Sequence, residues 1–219
     1  MIIAIGGIKG GSGKTTVATN LSILCAQEQD VLLVDADDQE TATDFTILRN
    51  ETFPGGAGYT SIKLTGPAVR TEIQRLTSKY DMILIDTGGR DTASQRAALS
   101  VAHLLLIPFI PRSFDIWTLE KVSQLVAEMR AANPLLQACV FINRADPRGQ
   151  DNAEAAEALK ETTALEFIDT PLGSRKAYGN AAAQGRAVTE LKPQDVKATE
   201  EILTLYQHIF NIKKKSTKR

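Results

Sequence analysis

Residues 9–16, Lys9-Gly10-Gly11-Ser12-Gly13-Lys14-Thr15-Thr16, put two lysines and three hydroxyl side chains around three glycines. Gly10, Gly11 and Gly13 let the backbone curl with its N–H groups converging on one point, a geometry suited to phosphate oxygens. Lys14 is spaced to reach the β- and γ-phosphates of a nucleoside triphosphate, and Thr15 to ligate Mg2+. Ser12 and Thr16 fall within the same cradle, and a helix starting near Lys14 adds the positive end of its dipole. The ordinary pattern Gly-x4-Gly-Lys-[Ser/Thr] is met only loosely by Ile8 to Thr15, and a second lysine, Lys9, stands four residues before Gly13. A single subunit gives that lysine no task. Aimed out of the loop, it suits a nucleotide held by a second copy of the chain across a dimer interface.

The elements needed to hold such a loop are present on both sides. Apolar residues at 1–5 suit a buried parallel strand, and Val17, Leu21, Leu24 and Cys25 recur at helical spacing after the loop. Further along, β-prone runs (31–34, 82–85, 104–107, 140–142 and a short one at 166–168) alternate with helical patterns. The helices are expected at 14–26, 68–76, 92–101, 118–131, 153–161, 175–184 and 197–210. This alternation predicts an α/β fold: a doubly wound, mostly parallel sheet with helices on both faces. It forms a single P-loop NTPase domain over residues 1–212, followed by a basic, disordered tail at 213–219. Residues 44–65, with Pro54-Gly55-Gly56-Ala57-Gly58, read as loop. Sheets of this type bind ligands at the carboxyl ends of their strands. Polar segments collect there: Asp35-Ala36-Asp37-Asp38-Gln39, Asp86-Thr87-Gly88-Gly89-Arg90-Asp91 and Asn143-Arg144-Ala145-Asp146.

Composition narrows the class. The chain has 219 residues, 43% hydrophobic, and a net charge of −1 that conceals a wholly basic end, Lys213-Lys214-Lys215-Ser216-Thr217-Lys218-Arg219. Cys25 and Cys139 lie far apart among apolar neighbours, as buried free thiols of a reducing compartment do. Two histidines, His103 and His208, argue against a histidine metal centre. No signal peptide is expected, since Met1 runs into the first strand. The most apolar stretch, 101–110, is too short to span a bilayer and contains Pro108. A cytoplasmic, soluble protein is the expectation.

Taken together, four segments resemble the ParA/MinD family of deviant Walker-type ATPases. They are the Lys9–Thr16 loop, Asp35-Ala-Asp-Asp-Gln39, Ile83-Leu-Ile-Asp-Thr-Gly-Gly89 and Ile107-Pro-Phe-Ile-Pro-Arg-Ser-Phe-Asp115. Gly185-Arg-Ala-Val-Thr-Glu190 looks like the family's closing motif. The resemblance implies ATP and Mg2+ as cofactors, with slow, partner-stimulated hydrolysis. Lys9, Lys14 and Asp37 take the catalytic roles it implies, with Asp37 positioning or activating the attacking water. Asp86 corresponds to the Walker B carboxylate, and Thr15 and Asp37 join it at the metal, with Asp35 a further member of the shell. Gly88 and Gly89 stand in a loop that senses the γ-phosphate, where many relatives carry proline. Asn143 and Arg144 fall at the adenine position, with Pro171 and Gly173 on the other wall, and Asp115 falls in an interfacial segment.

The same resemblance implies an ATP-dependent sandwich homodimer that binds duplex DNA without sequence preference and positions or segregates cargo. Short ParA proteins, whether for plasmid or chromosome partition or for carboxysome positioning, fit better than MinD. Asp35-Ala-Asp-Asp-Gln39 resembles the ParA run Asp-x-Asp-Pro-Gln, with Asp38 in place of proline. The expected partner is a ParB-like centromere-binding protein or a small organelle adaptor, and the protein is expected on the nucleoid. Candidate DNA contacts are Arg175, Lys176, Arg186, Lys192, Lys213, Lys214 and Lys215. Two other readings remain open. One is a MinD-like membrane switch using the stripe Ile202, Leu203, Leu205, Tyr206, Ile209, Phe210 and Ile212; against it, that final helix is expected to pack on its own domain, without stable membrane association. The other is a metabolic P-loop ligase of the same fold.

Overall fold

The computed structural model describes residues 1–111, 116–148 and 150–216. Its centre is a sheet of short apolar strands: β1 (Ile2–Ile5), β2 (Val31–Ala36), β3 (Thr60–Lys63), β4 (Met82–Thr87), β5 (Leu104–Phe109), β6 (Gln137–Ala145) and β7 (Glu166–Phe167). They run in the order β3-β2-β4-β1-β5-β6-β7, and β8 (Leu172–Gly173) pairs with the far end of β6. Every pairing is parallel. Parallel strands need crossovers, and the helices supply them: α1 (Lys14–Cys25), α2 (Thr41–Thr52), α3 (Ala68–Leu76), α4 (Ala93–Leu99), α5 (Ile116–Ala132), α6 (Asp151–Glu161), α7 (Lys176–Ala182) and α8 (Val196–Ser216).

Strand periodicity sorts the apolar residues into two cores, one on each side. Ile2, Ala4, Leu32, Val34, Ile83 and Ile85 pack against α3, α4, α5 and α6. Ile3, Ile5, Leu33, Met82 and Leu84 pack against α1, α7 and α8. Central strands are buried on both faces, which explains their near-continuous apolar runs. The doubly wound α/β architecture expected from the sequence is therefore present.

Two elements depart from expectation. The span 44–65, read as loop, contains most of α2 and all of β3. α2 buries only Ala42, Phe45, Thr46 and Arg49, so two polar side chains carry half of its inner stripe and no apolar periodicity shows. β3 is an edge strand with no fully buried residue. The glycine-rich run is confined to the link between them. At the carboxyl end, α8 (Val196–Ser216) runs through the expected boundary at residue 213, and residues 217–219 of the expected tail lie outside the described residues. Most of the α8 stripe is spent on the domain's own core: Ile202, Leu205 and Ile209 are buried, and Tyr206 and Phe210 pack partly buried beside them, while Leu203 is exposed and the Ile212 side chain lies outside the described residues.

Candidate functional site

The register of β1, β2 and β4 decides what meets at the carboxyl edge. Asp35 stands opposite Asp86, and Ile5 opposite Asp86 on the other side, so the phosphate loop leaves β1 beside two carboxylates. Gly13 opens α1 with φ 88°, a left-handed conformation that favours glycine. A Cβ there would also come within 2.4 Å of the Asn143 amide nitrogen. α1 has no side-chain cap, which leaves its first N–H groups turned toward the loop.

Above this edge opens a cleft of about 740 Å3, lined by Gly10, Gly11, Gly13, Lys14, Thr15, Thr16, Asp37, Gly88 and Gly89 among others. Lys14 is buried, and its Nζ donates to the Lys9 carbonyl at 3.0 Å. Burial holds its ammonium below the usual value, with Asp86 and Asp37 pulling it back up. Asp86 is fully enclosed, and neither carboxylate oxygen has a hydrogen-bond partner of normal geometry. Burial raises its pKa to about 7, while the facing Thr15 hydroxyl acts in the opposite direction. An orphaned carboxylate beside a threonine hydroxyl is what a divalent cation completes, so these residues fit Mg2+. No cluster of three or more His, Cys, Asp or Glu exists among the described residues, so phosphate oxygens and water must fill the remaining positions.

Asp37 is half-buried at the rim of the cleft, where its carboxylate accepts the Gln39 N–H at 3.2 Å. From there it faces Gly88, 3.2 Å from where a Cβ on that glycine would sit. Gly89 approaches the phosphate loop more closely still. A Cβ on it would lie 2.6 Å from the Gly10 Cα, so the glycine is required by contact between the two loops.

Other expected residues find different employment. Asp35, a further member of the metal shell by expectation, is tied into the backbone next to the cleft. Its carboxylate accepts the Thr43 N–H at 2.8 Å and hydroxyl at 2.7 Å, and the Asp37 N–H at 3.1 Å, which anchors the start of α2. Asn143 donates its side-chain amide to the Ser12 carbonyl at 2.6 Å and so braces the loop from beneath. Ser12 is buried and does not line the cleft. Lys9 also lies outside that lining; it borders a small cavity with Ser12, Pro108, Phe109 and Ile110. Arg144, at φ 55°, lines both the main cleft and an adjoining pocket of about 290 Å3. Leu172, Gly173, Arg175 and Tyr178 border that pocket, while Pro171 is exposed outside it.

Among the DNA candidates, Arg175 is committed to Glu201 by three hydrogen bonds of 2.5 to 3.1 Å. Arg186 stacks over the Phe53 ring at 4.9 Å. Both leave the set of uncommitted cations, and Lys176 and Lys192 remain exposed. Lys213, Lys214 and Lys215 lie on the last turns of α8, and Asp115 lies outside the described residues. Asp38, Gln39 and Arg90, given no individual role from the sequence, also line the cleft, and Thr41 and Thr92 line it without having been named at all. Their positions just beyond strand ends were the only signal.

The sequence profile of the CobQ/CobB/MinD/ParA nucleotide binding domain matches residues 3–188. The chain is 26% identical over 209 residues to "Maintenance of carboxysome distribution protein A" of Halothiobacillus neapolitanus, covering 95% of each. It is 24% identical to a ParA family protein of Chlamydia pneumoniae, covering 95% of this chain and 96% of that one. Among solved structures, an ATP complex of McdA from Cyanothece superposes with a TM-score of 0.75 at 22% identity, over 92% of this chain and 94% of that one. With the phosphate loop, the paired strand-end carboxylates and this profile over most of its length, the chain is a P-loop ATPase of the CobQ/CobB/MinD/ParA nucleotide-binding family.

Proposed function

We propose that the protein is an ATP-dependent dimerising switch that positions or segregates intracellular cargo on DNA. The observation that carries this reading is the division of labour between its two loop lysines. Lys14 lines the phosphate cleft of its own subunit, whereas Lys9 borders a different cavity. A cation displaced from its own cleft suits a triphosphate held by a second copy. Two protomers then share a pair of nucleotides, with each Lys9 neutralising charge on its neighbour's phosphates.

Lys14, the loop N–H groups and the start of α1 hold the phosphates. Thr15 and Asp86 would hold Mg2+, which would supply neutralisation of the triphosphate charge. Asp37, above Gly88, orients the attacking water, and Asn143 and Arg144 border the base. A carboxylate such as Asp37 is a weak base, which suits slow hydrolysis that a partner accelerates. Loss of the γ-phosphate removes several charge-assisted hydrogen bonds, each worth about 1.5–3 kcal/mol, and the dimer parts.

The named relatives in carboxysome distribution and the ParA family support a positioning role, with an organelle adaptor or a centromere-binding protein as the partner that stimulates hydrolysis. Lys176, Lys192 and the basic end of α8 are the surfaces assigned to DNA. The membrane-switch reading loses much of its support, because Ile202, Leu205 and Ile209 of the α8 stripe are packed in the domain's own core. No helix among the described residues is long and apolar enough to cross a membrane. Fluorescence anisotropy with a random duplex tests the reading. Binding is expected with ATP, absent with ADP, and about 10^3-fold weaker between 50 and 200 mM salt if six phosphates are contacted. Equal binding in the apo and ATP states would defeat it.

A further inference from the structure

Gln95, on α4, is fully buried and takes no part in the cleft lining. Its backbone is fixed, because its N–H donates to the Thr92 hydroxyl that caps α4 at 3.2 Å. Its side chain lies between the two loops of the nucleotide site. The amide orientation that matches its neighbours turns Nε2 toward three carbonyl oxygens: Gly7 at 3.1 Å, Gly88 at 3.2 Å and Arg90 at 3.1 Å. The opposite orientation would press the amide oxygen against those same acceptors, offset only by a 3.4 Å contact from the Thr87 hydroxyl, whose proton already has the Ile5 carbonyl at 3.1 Å.

A carboxamide has two N–H protons, so three carbonyls compete for two hydrogen bonds. Gly7 belongs to the exit from β1 into the phosphate loop. Gly88 and Arg90 bracket Gly89, which rests on the Gly10 backbone. One acceptor is always in excess, so either loop carbonyl can withdraw without leaving an amide proton unpaired. Such an arrangement holds the loop after β4 in place yet lets it shift at little cost.

We propose that Gln95 is a positioning residue that ties the loop after β4 to the phosphate loop, so that the loop's order follows the γ-phosphate. This rests on the switch reading above and names the residue that transmits it. Gln95 lies outside the cleft lining and acts through the carbonyls of residues 88 and 90.

The test uses the full chain with Mg2+, measuring affinities for ADP and for a slowly hydrolysed ATP analogue, together with amide hydrogen exchange over residues 87–92. Gln95→Leu removes both donors at similar volume. Gln95→Glu keeps the shape and replaces them with acceptors, and decides the matter should the leucine variant fail to fold. The expected result is ADP affinity within about twofold of wild type, a preference for the ATP analogue reduced by about tenfold, and loss of the analogue-dependent protection of the loop. Variants that discriminate and protect as wild type does would overturn the role of Gln95 while leaving the switch intact. A wild-type protein that neither discriminates nor protects its loop would overturn the switch reading and this inference with it.

Discussion

Asp86 shows how one side chain sets stability against function. An enclosed carboxylate with only the facing Thr15 hydroxyl beside it, and a pKa raised to about 7, weakens the nucleotide-free fold. A rise of that size corresponds to about 4 kcal/mol, an upper bound that relaxation of the site lowers. Asp86→Asn is therefore expected to raise the melting temperature of the nucleotide-free protein by several degrees while abolishing Mg2+-dependent hydrolysis; calorimetry and a phosphate-release assay check both halves. An unchanged melting temperature would mean the carboxylate already has a partner. The part played by Asp86 was readable from a carboxylate ending an apolar run, and Lys14 from loop spacing. Asp35 was not: its neighbour in the structure is Thr43, eight residues on, which identifies it as the anchor of α2. Gln95 escaped for a related reason. Its partners are main-chain carbonyls, and these leave no trace in side-chain types.

At the scale of elements, α2 is the instructive case. It was invisible as a periodic pattern because Arg49 and Thr46 occupy inward positions. Arg49 reaches Glu190 through two hydrogen bonds of 2.7 and 2.9 Å, the Gly185 carbonyl at 2.9 Å and the Ala57 carbonyl at 2.8 Å. Its guanidinium also lies 4.4 Å from the Phe53 ring centroid. The segment 185–190, noticed in the sequence as a motif without a task, thus clasps α2 to the domain. Removing one member of a fully buried pair costs about 3–5 kcal/mol, and the partial exposure of Glu190 places this one at the lower end. Arg49→Met should lower the melting temperature by about 10 °C, and adding Glu190→Leu should recover part of the loss, as a double-mutant cycle would record. Additive losses would contradict the clasp.

The opposite end of the sheet carries a pH dependence. His103 Nδ1 accepts the Ile2 N–H at 3.0 Å, which requires the neutral ring. Burial and the neighbouring amino terminus hold its pKa below the usual 6.5. The native state therefore binds fewer protons than the unfolded chain. The stability it contributes is complete above 6.5 and is lost as pH falls toward the depressed folded value. Asp86, with its pKa raised to about 7, gains stability as pH falls and works in the opposite direction. The decline should therefore show in thermal melts of the Asp86→Asn protein between about pH 5 and 7.5, and adding His103→Gln should flatten it. A profile of Asp86→Asn already flat would contradict the assignment.

For the whole molecule, the alternation of apolar runs with helical patterns made the doubly wound sheet legible, because parallel strands need crossovers and both faces need cover. What one chain cannot display is the surface it completes in another. The account depends on Lys9 leaving its own cleft to serve a neighbour's triphosphate. The most direct measurement is the solution mass of the ATP-loaded protein by light scattering, for wild type and Lys9→Ala. The expected result is a dimer with ATP and a monomer with ADP for wild type, and a folded monomer under both conditions for the variant. A variant that dimerises with ATP as wild type does would contradict the central claim.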